Sequence, residues 1–125
     1  MKITLTAIPD PNLSKNRRRS LYYQKEAKLI RESRDSAYLL ALNEVNRIKG
    51  WQTLESCVIR VIYYYSNVPP DYEGVSAMVA PIIDGIVDAG VMVDDNPNVV
   101  REYSIKMEKV KTRKERRALI TVESI

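Results

Sequence analysis

The chain has 125 residues, 45% hydrophobic and 29% charged, with a formal net charge of +4, no histidine and one cysteine. This length and balance describe one globular domain, residues 1–125, with a single core; no apolar run approaches the ~20 residues of a spanning helix and the basic start lacks a signal-peptide core, so no membrane and a cytoplasmic location are expected. Without histidine neither a His-based triad nor a mixed zinc cluster can be built, which leaves hydrolysis to carboxylates, lysine, tyrosine or a metal held by oxygen ligands.

"KITLTAI" (2–8) alternates Ile3, Leu5 and Ala7 with polar residues, the pattern of a strand with one buried face. "PDPNLSKN" (9–16) supplies turn residues. From about 20 to 48 the chain lacks proline and glycine. Ala27, Ile30, Ala37, Leu40, Ala41, Val45 and Ile48 recur there near 3.6-residue spacing, which predicts a helix stopped at Gly50. Residues 54–65 read as a strand with Cys57, Ile59, Val61 and Tyr63 on its apolar face; Val58 and Ile62 make the other face partly buried. Cys57 is accordingly expected in the core.

"PPDYEG" (69–74) then reads as a turn, followed by a helix over 75–90 that Pro81 starts or kinks and Gly90 caps. "VDDNPN" (93–98) is a loop, and residues 101–110 alternate Tyr103, Ile105 and Met107 as a strand. A basic connector, "KTRKERR" (111–117), reads as a solvated hairpin loop, the other reading being a phosphate contact, before a last strand over 118–124. The order is β-α-β-α-β-β. It predicts an α+β (α/β-like) domain with two main helices packed on a small mixed sheet.

Charge is segregated along this chain. Residues 1–50 carry 11 basic and 5 acidic side chains, 51–100 carry 1 and 7, and 101–125 carry 8 and 4, so the segments run +6, −6 and +4. A basic frame around an acidic centre suits a metal-dependent enzyme acting on a polyanion, the alternative being simple segregation in a basic protein. If the chain is still extended at 71–73, Asp71 and Glu73 project to one side and converge on one cation. Asp94 and Asp95 return from the helix to the same region, where Mg²⁺ or Mn²⁺ would find oxygen ligands, although Asp-rich turns arise without metal. Asp84 and Asp88 lie on the helix between, Asp84 nearer its apolar stripe. "SKNRRRS" (14–20) could grip phosphates with forked hydrogen bonds, joined by Lys25, or be an exposed charge run. Of the consecutive Tyr63, Tyr64 and Tyr65, at least one is expected in the core.

Three segments resemble the RusA-like crossover junction endodeoxyribonucleases, the Holliday junction resolvases often found in phages and prophages. The family motif D-x-D-N is followed by a lysine just before a proline, then lDGlvdAGv and a D-D pair. Here stand Asp71-Tyr72-Glu73-Gly74, Ala80 before Pro81, and "IIDGIVDAGVMVDD" (82–95). "IPDPNLSKNRRRSLYYQ" (8–24) and "RDSAYLLAL" (34–42) are similar to the family's opening loop and first helix. The resemblance implies a homodimer that binds four-way DNA junctions and nicks two strands with Mg²⁺ or Mn²⁺ in recombination and repair. Asp71, Glu73, Asp94 and Asp95 would be its catalytic, metal-binding carboxylates, and Lys15, Asn16, Arg17, Arg18, Arg19 and Lys25 its DNA contacts. The departures are Glu73, Gly74 and Ala80. Loss of the lysine removes an electrostatic contribution, which leaves a slow nuclease, a junction binder without cleavage, or an enzyme recruiting another cation such as Lys15 or Lys106 as the alternatives.

Overall fold

The computed structural model describes residues 1–14, 17 and 22–125. Its strands are β1 (Lys2–Ala7), β2 (Cys57–Tyr65), β3 (Val100–Lys109) and β4 (Arg117–Ser124); its two long helices are α1 (Tyr23–Arg47) and α2 (Tyr72–Asp88). The order β-α-β-α-β-β is the one expected, and the strands form one mixed sheet in the order β1-β4-β2-β3. β4 runs antiparallel to both β1 and β2, whereas β3 is parallel to β2 across the α2 crossover. The connector at 111–117 is therefore no hairpin loop: β3 and β4 flank β2 on opposite sides, so the connector passes the end of β2. It contains a short turn at Arg113–Glu115, closed by a capping box between Thr112 and Glu115.

Period-two alternation sends one face of each strand inward. Ile3, Leu5 and Ala7 of β1, Cys57, Ile59, Val61 and Tyr63 of β2, and Ala118, Ile120 and Val122 of β4 are all buried under the helices. Cys57 is a core residue as expected, its Sγ 3.7 Å from Met92 Sδ and its thiol pKa pushed up by burial. Register extends the inward row onto β3, with Tyr103, Ile105 and Met107 opposite Ile59, Val61 and Tyr63.

The helices divide the burial unequally. α2 buries Val75, Met78, Val79, Ile82, Ile83 and Ile86 and runs through Pro81 without interruption. Past its end Gly90 adopts φ +83°, donating to Val87 O while Val91 donates to Ile86 O, the paired bonds of a glycine-terminated helix. α1 buries only Ala37 and Ala41. The reason is a close crossing at Gly85: a Cβ there would stand 2.3 Å from Arg34 O and 2.9 Å from both Ala37 Cβ and Tyr38 N. Small residues win the contact; of the larger ones expected on this face, Ile30, Val45 and Ile48 pack half-buried against the core, whereas Leu40 is exposed. Arg34 and Asp88 fasten the crossing with two bonds, Nε to Oδ2 at 2.6 Å and Nη2 to Oδ1 at 2.9 Å.

Candidate functional site: two clefts beside one helix

The expected turn at 69–74 is a helix start. Asp71 is the N-cap of α2, with its Oδ1 accepting the Gly74 amide at 2.6 Å, and Tyr72 and Glu73 are already helical. The extended backbone that would aim Asp71 and Glu73 at one cation is thus absent. One carboxylate caps; the other adds favourable negative charge in the first turn.

Distance separates both from the later acids. At 1.5 Å rise per residue, Asp84 stands about 20 Å along α2 from Asp71 and about 16 Å from Glu73. Asp94 turns onto its own loop, accepting from the Asp95 amide at 2.7 Å and from Asn96 Nδ2 at 3.0 Å. These bonds hold its pKa below the usual carboxylate value. Among the described residues no three of the His, Cys, Asp or Glu side chains gather as a metal would require. No three of the four carboxylates expected to bind metal come together.

What does gather is a different set. Ser76, Ala80, Ile83 and Asp84 from one side of α2, Asp95 and Pro97 from the following loop, and Tyr103 from β3 line a cleft of about 310 Å³ floored by Ile59. Tyr103 is 40% exposed, yet its hydroxyl end is desolvated beside Ser76, and burial raises its pKa. Asp95 faces Asp84. Its pKa is raised by burial first, then by the hydrogen bond with Asp94 and by the charges of Asp84 and Asp94. Ala80, on the position of the family lysine, sits among them and brings no charge. Lys106 cannot replace it: its register opposite Ile62 places it on the outer sheet face, where its Nζ lies 3.5 Å from Glu108. Of the two helix acids, Asp84 lines the cleft, whereas Asp88 is held by Arg34.

A second cleft, of about 230 Å³, opens near the start of α2, where β2 ends. Arg17, Arg116, Tyr63, Tyr65, Ser66 and Met78 line it, and Met78 projects from the side of α2 opposite Ser76 and Ala80. Tyr63 is core, as expected of at least one of the three tyrosines; Tyr64 lies on the outer face under Arg117, whose Cζ stands 4.1 Å from the ring centroid. Burial raises the Tyr63 pKa, while the positive charges of Arg116 and Arg17 pull it back, so both guanidiniums lie near its hydroxyl. Arg113 and Arg117 extend the basic surface into a smaller adjoining cleft.

Of the basic residues expected to hold DNA, Arg17 therefore lines a cleft, while Lys25 sits in a separate shallow depression with Tyr22 and Lys28. Lys15, Asn16, Arg18 and Arg19 lie outside the described residues. Reading the sequence missed Ser76, Tyr103 and Ser66, whereas Arg116 falls in the 111–117 segment, for which phosphate contact is one of two readings. Only Ser76 carried a usable signal, standing one helical turn before Ala80 on the same side. No protein-family model matches the chain, and no curated protein matches it in sequence. No helix among the described residues is long and apolar enough to cross a membrane.

Proposed function

We propose that this chain binds branched DNA, as a dimer, through its basic surface and cuts it feebly or not at all. The observation carrying this reading is the cleft around Ala80: of the four carboxylates expected to hold metal, it receives Asp95 alone, joined by Asp84. Two facing carboxylates without a third ligand or a lysine are a poor fit to a protein-held Mg²⁺ or Mn²⁺, and no catalytic step follows from them. The basic surface at Arg17, Arg113, Arg116 and Arg117 supports nucleic-acid binding independently, because clustered guanidiniums match phosphate spacing and shape. A dimer accords with the two-fold symmetry of a four-way junction.

A weak nuclease is the second reading, favoured by Asp84 and Asp95 facing each other in a groove with a desolvated tyrosine. One experiment separates the two. A labelled four-way junction and a matched duplex are titrated with protein across a salt series, then incubated with Mg²⁺ and separately Mn²⁺. Junction-selective binding that falls steeply with salt, without nicks, is the expected result. Paired nicks abolished by Asp95→Asn would establish the nuclease instead, and absence of salt-sensitive binding would sink both.

A further inference from the structure

Ser66 is an anomaly in the second cleft. The residue is 7% exposed, and its hydroxyl is buried with no hydrogen-bond partner among the described residues. An unpaired buried hydroxyl costs roughly 1–3 kcal/mol, so proteins rarely retain one without a ligand or a partner to satisfy it. Around it stand an unusual company for a core serine. Arg116 makes no ion pair among the described residues, and Arg17 and Tyr63 line the same cleft, the two positive charges pulling down the Tyr63 pKa that burial raises. The backbone just beyond is constrained: Asn67 takes φ 65°, and Pro69 and Pro70 follow, so the serine is held at the cleft by a stiff corner. Donors of every kind meet here, and no carboxylate lines the cleft.

We propose that Ser66, Tyr63, Arg17 and Arg116 form a binding site for a phosphate group. Ser66 and Tyr63 donate hydroxyl hydrogens to phosphate oxygens, and the two guanidiniums supply charge and forked donors. The apolar walls, Met78 and the two prolines, exclude water and strengthen those bonds. The source of the phosphate is either a DNA phosphodiester, which rests on the junction-binding reading above, or a free phosphate monoester, which does not.

The full-length protein is titrated with inorganic phosphate against chloride at constant ionic strength, followed by amide resonances of residues 63–67. Junction affinity is then measured for wild type, Ser66→Ala and Arg116→Gln. Expected are saturable shifts at 63–67, and about tenfold weaker phosphate binding in each variant. Ser66→Ala also carries an internal control. Removing an unpaired hydroxyl leaves the melting temperature unchanged or raised, so weakened binding in that variant cannot be ascribed to misfolding. If the phosphodiester is the source, Arg116→Gln lowers the salt slope of junction binding by about one. Phosphate shifts with unaltered junction binding, or with no junction binding at all, support the site and assign it to a free phosphate monoester. No saturable shift at 63–67, or Ser66→Ala binding phosphate as tightly as wild type, overturns it.

Discussion

The two clefts beside α2 are built from the same fold and have opposite chemical content. The cleft against β3 joins two carboxylates, a serine, an alanine and a tyrosine; the cleft at the end of β2 joins two arginines, a buried unpaired serine and two tyrosines. Each is walled by the sheet on one side and α2 on the other, so scaffold does not distinguish them. The difference lies in which side chains α2 and its flanking loops present. Ser76 and Ala80 are short and uncharged where a metal-dependent nuclease needs ligands and a cation, while the basic side keeps every donor it needs for an anion. The two clefts are therefore chemically distinct, and variants can alter one without the other.

The largest effect should come from removing what the clefts share. Gly85→Val places side-chain carbon within 3 Å of Arg34 O, Ala37 Cβ and Tyr38 N, which are backbone or short groups unable to swing away. α1 must lift from α2. A loss of about 3 kcal/mol or more is expected, read as a drop in the urea midpoint, with both clefts deformed together. A melting point within a degree or two of wild type would show that the helices slide freely and that the close crossing does not position the clefts.

The sharper test rebuilds one cleft. Ser76→Asp adds a third carboxylate to Asp84 and Asp95, and Ala80→Lys adds a cation one turn away. The single Ser76→Asp variant should bind Mn²⁺ about tenfold more tightly than wild type, monitored by paramagnetic broadening at residues 76, 84 and 95. The double variant should gain metal-dependent nicking of a junction while its junction affinity changes little. Unaltered Mn²⁺ affinity in Ser76→Asp would mean that the three side chains cannot reach a common point, and the cleft would lose its claim to be a vestigial cutting centre.

How much of this was legible in the sequence depends on which interaction decided it. The strands followed from alternation, because Ile3, Leu5, Cys57, Ile59 and Val61 face a core with no competing demand, whereas the hairpin expected across 111–117 did not, since β3 and β4 lie on opposite sides of β2. The α1 face followed in large part: Ala37 and Ala41 are buried and Ile30, Val45 and Ile48 pack against the core, but Leu40 is exposed, because periodicity alone does not show how closely the helices cross at Gly85. The start of α2 was read as a turn for a related reason: Pro, Asp and Gly at 69–74 are turn residues, yet an Asp before an apolar periodic run, here Asp71, is also an N-cap signature. Hydrogen bonding of its carboxylate to the Gly74 amide settled the choice for the helix. The basic cleft was illegible because its members come from three distant segments, around 17, 63–66 and 116, that only the sheet brings together.

Smaller effects concern the charge that ties the helices. The Arg34 guanidinium donates twice to Asp88 and holds its carboxyl below the usual value. A depressed folded pKa contributes stability that is present above the unfolded carboxylate range, near about 4, and lost as pH falls through the folded value. Asp88→Asn should therefore lower the melting temperature slightly at pH 7. The difference should close as pH falls through the folded value. Because both side chains are substantially exposed, the shift should also shrink in high salt. A salt-independent loss would show instead that Asp88 acts through packing.

The finest comparison lies between neighbours in the loop that closes the acidic cleft. Asp94 and Asp95 have opposite shifts: hydrogen bonds from the Asp95 amide and Asn96 favour ionised Asp94, whereas burial and the charges of Asp84 and Asp94 penalise ionised Asp95. A raised folded pKa gives stability that is complete below the unfolded value and lost as pH rises through the folded one, so at pH 7 Asp95 weakens the fold. Asp95→Asn should raise the melting temperature at pH 7 and Asp94→Asn should lower it, each by about a degree; the Asp95 difference should vanish below the unfolded carboxylate value, and the Asp94 difference only as pH falls through its lower folded value. If Asp95→Asn destabilises at pH 7, its carboxylate has a favourable partner in the folded protein, and the cleft is better prepared for a cation than its lining suggests. If it stabilises, the repulsion between Asp84 and Asp95 is a cost the fold bears without return from bound metal, which is what a junction-binding protein with an eroded cutting centre would retain.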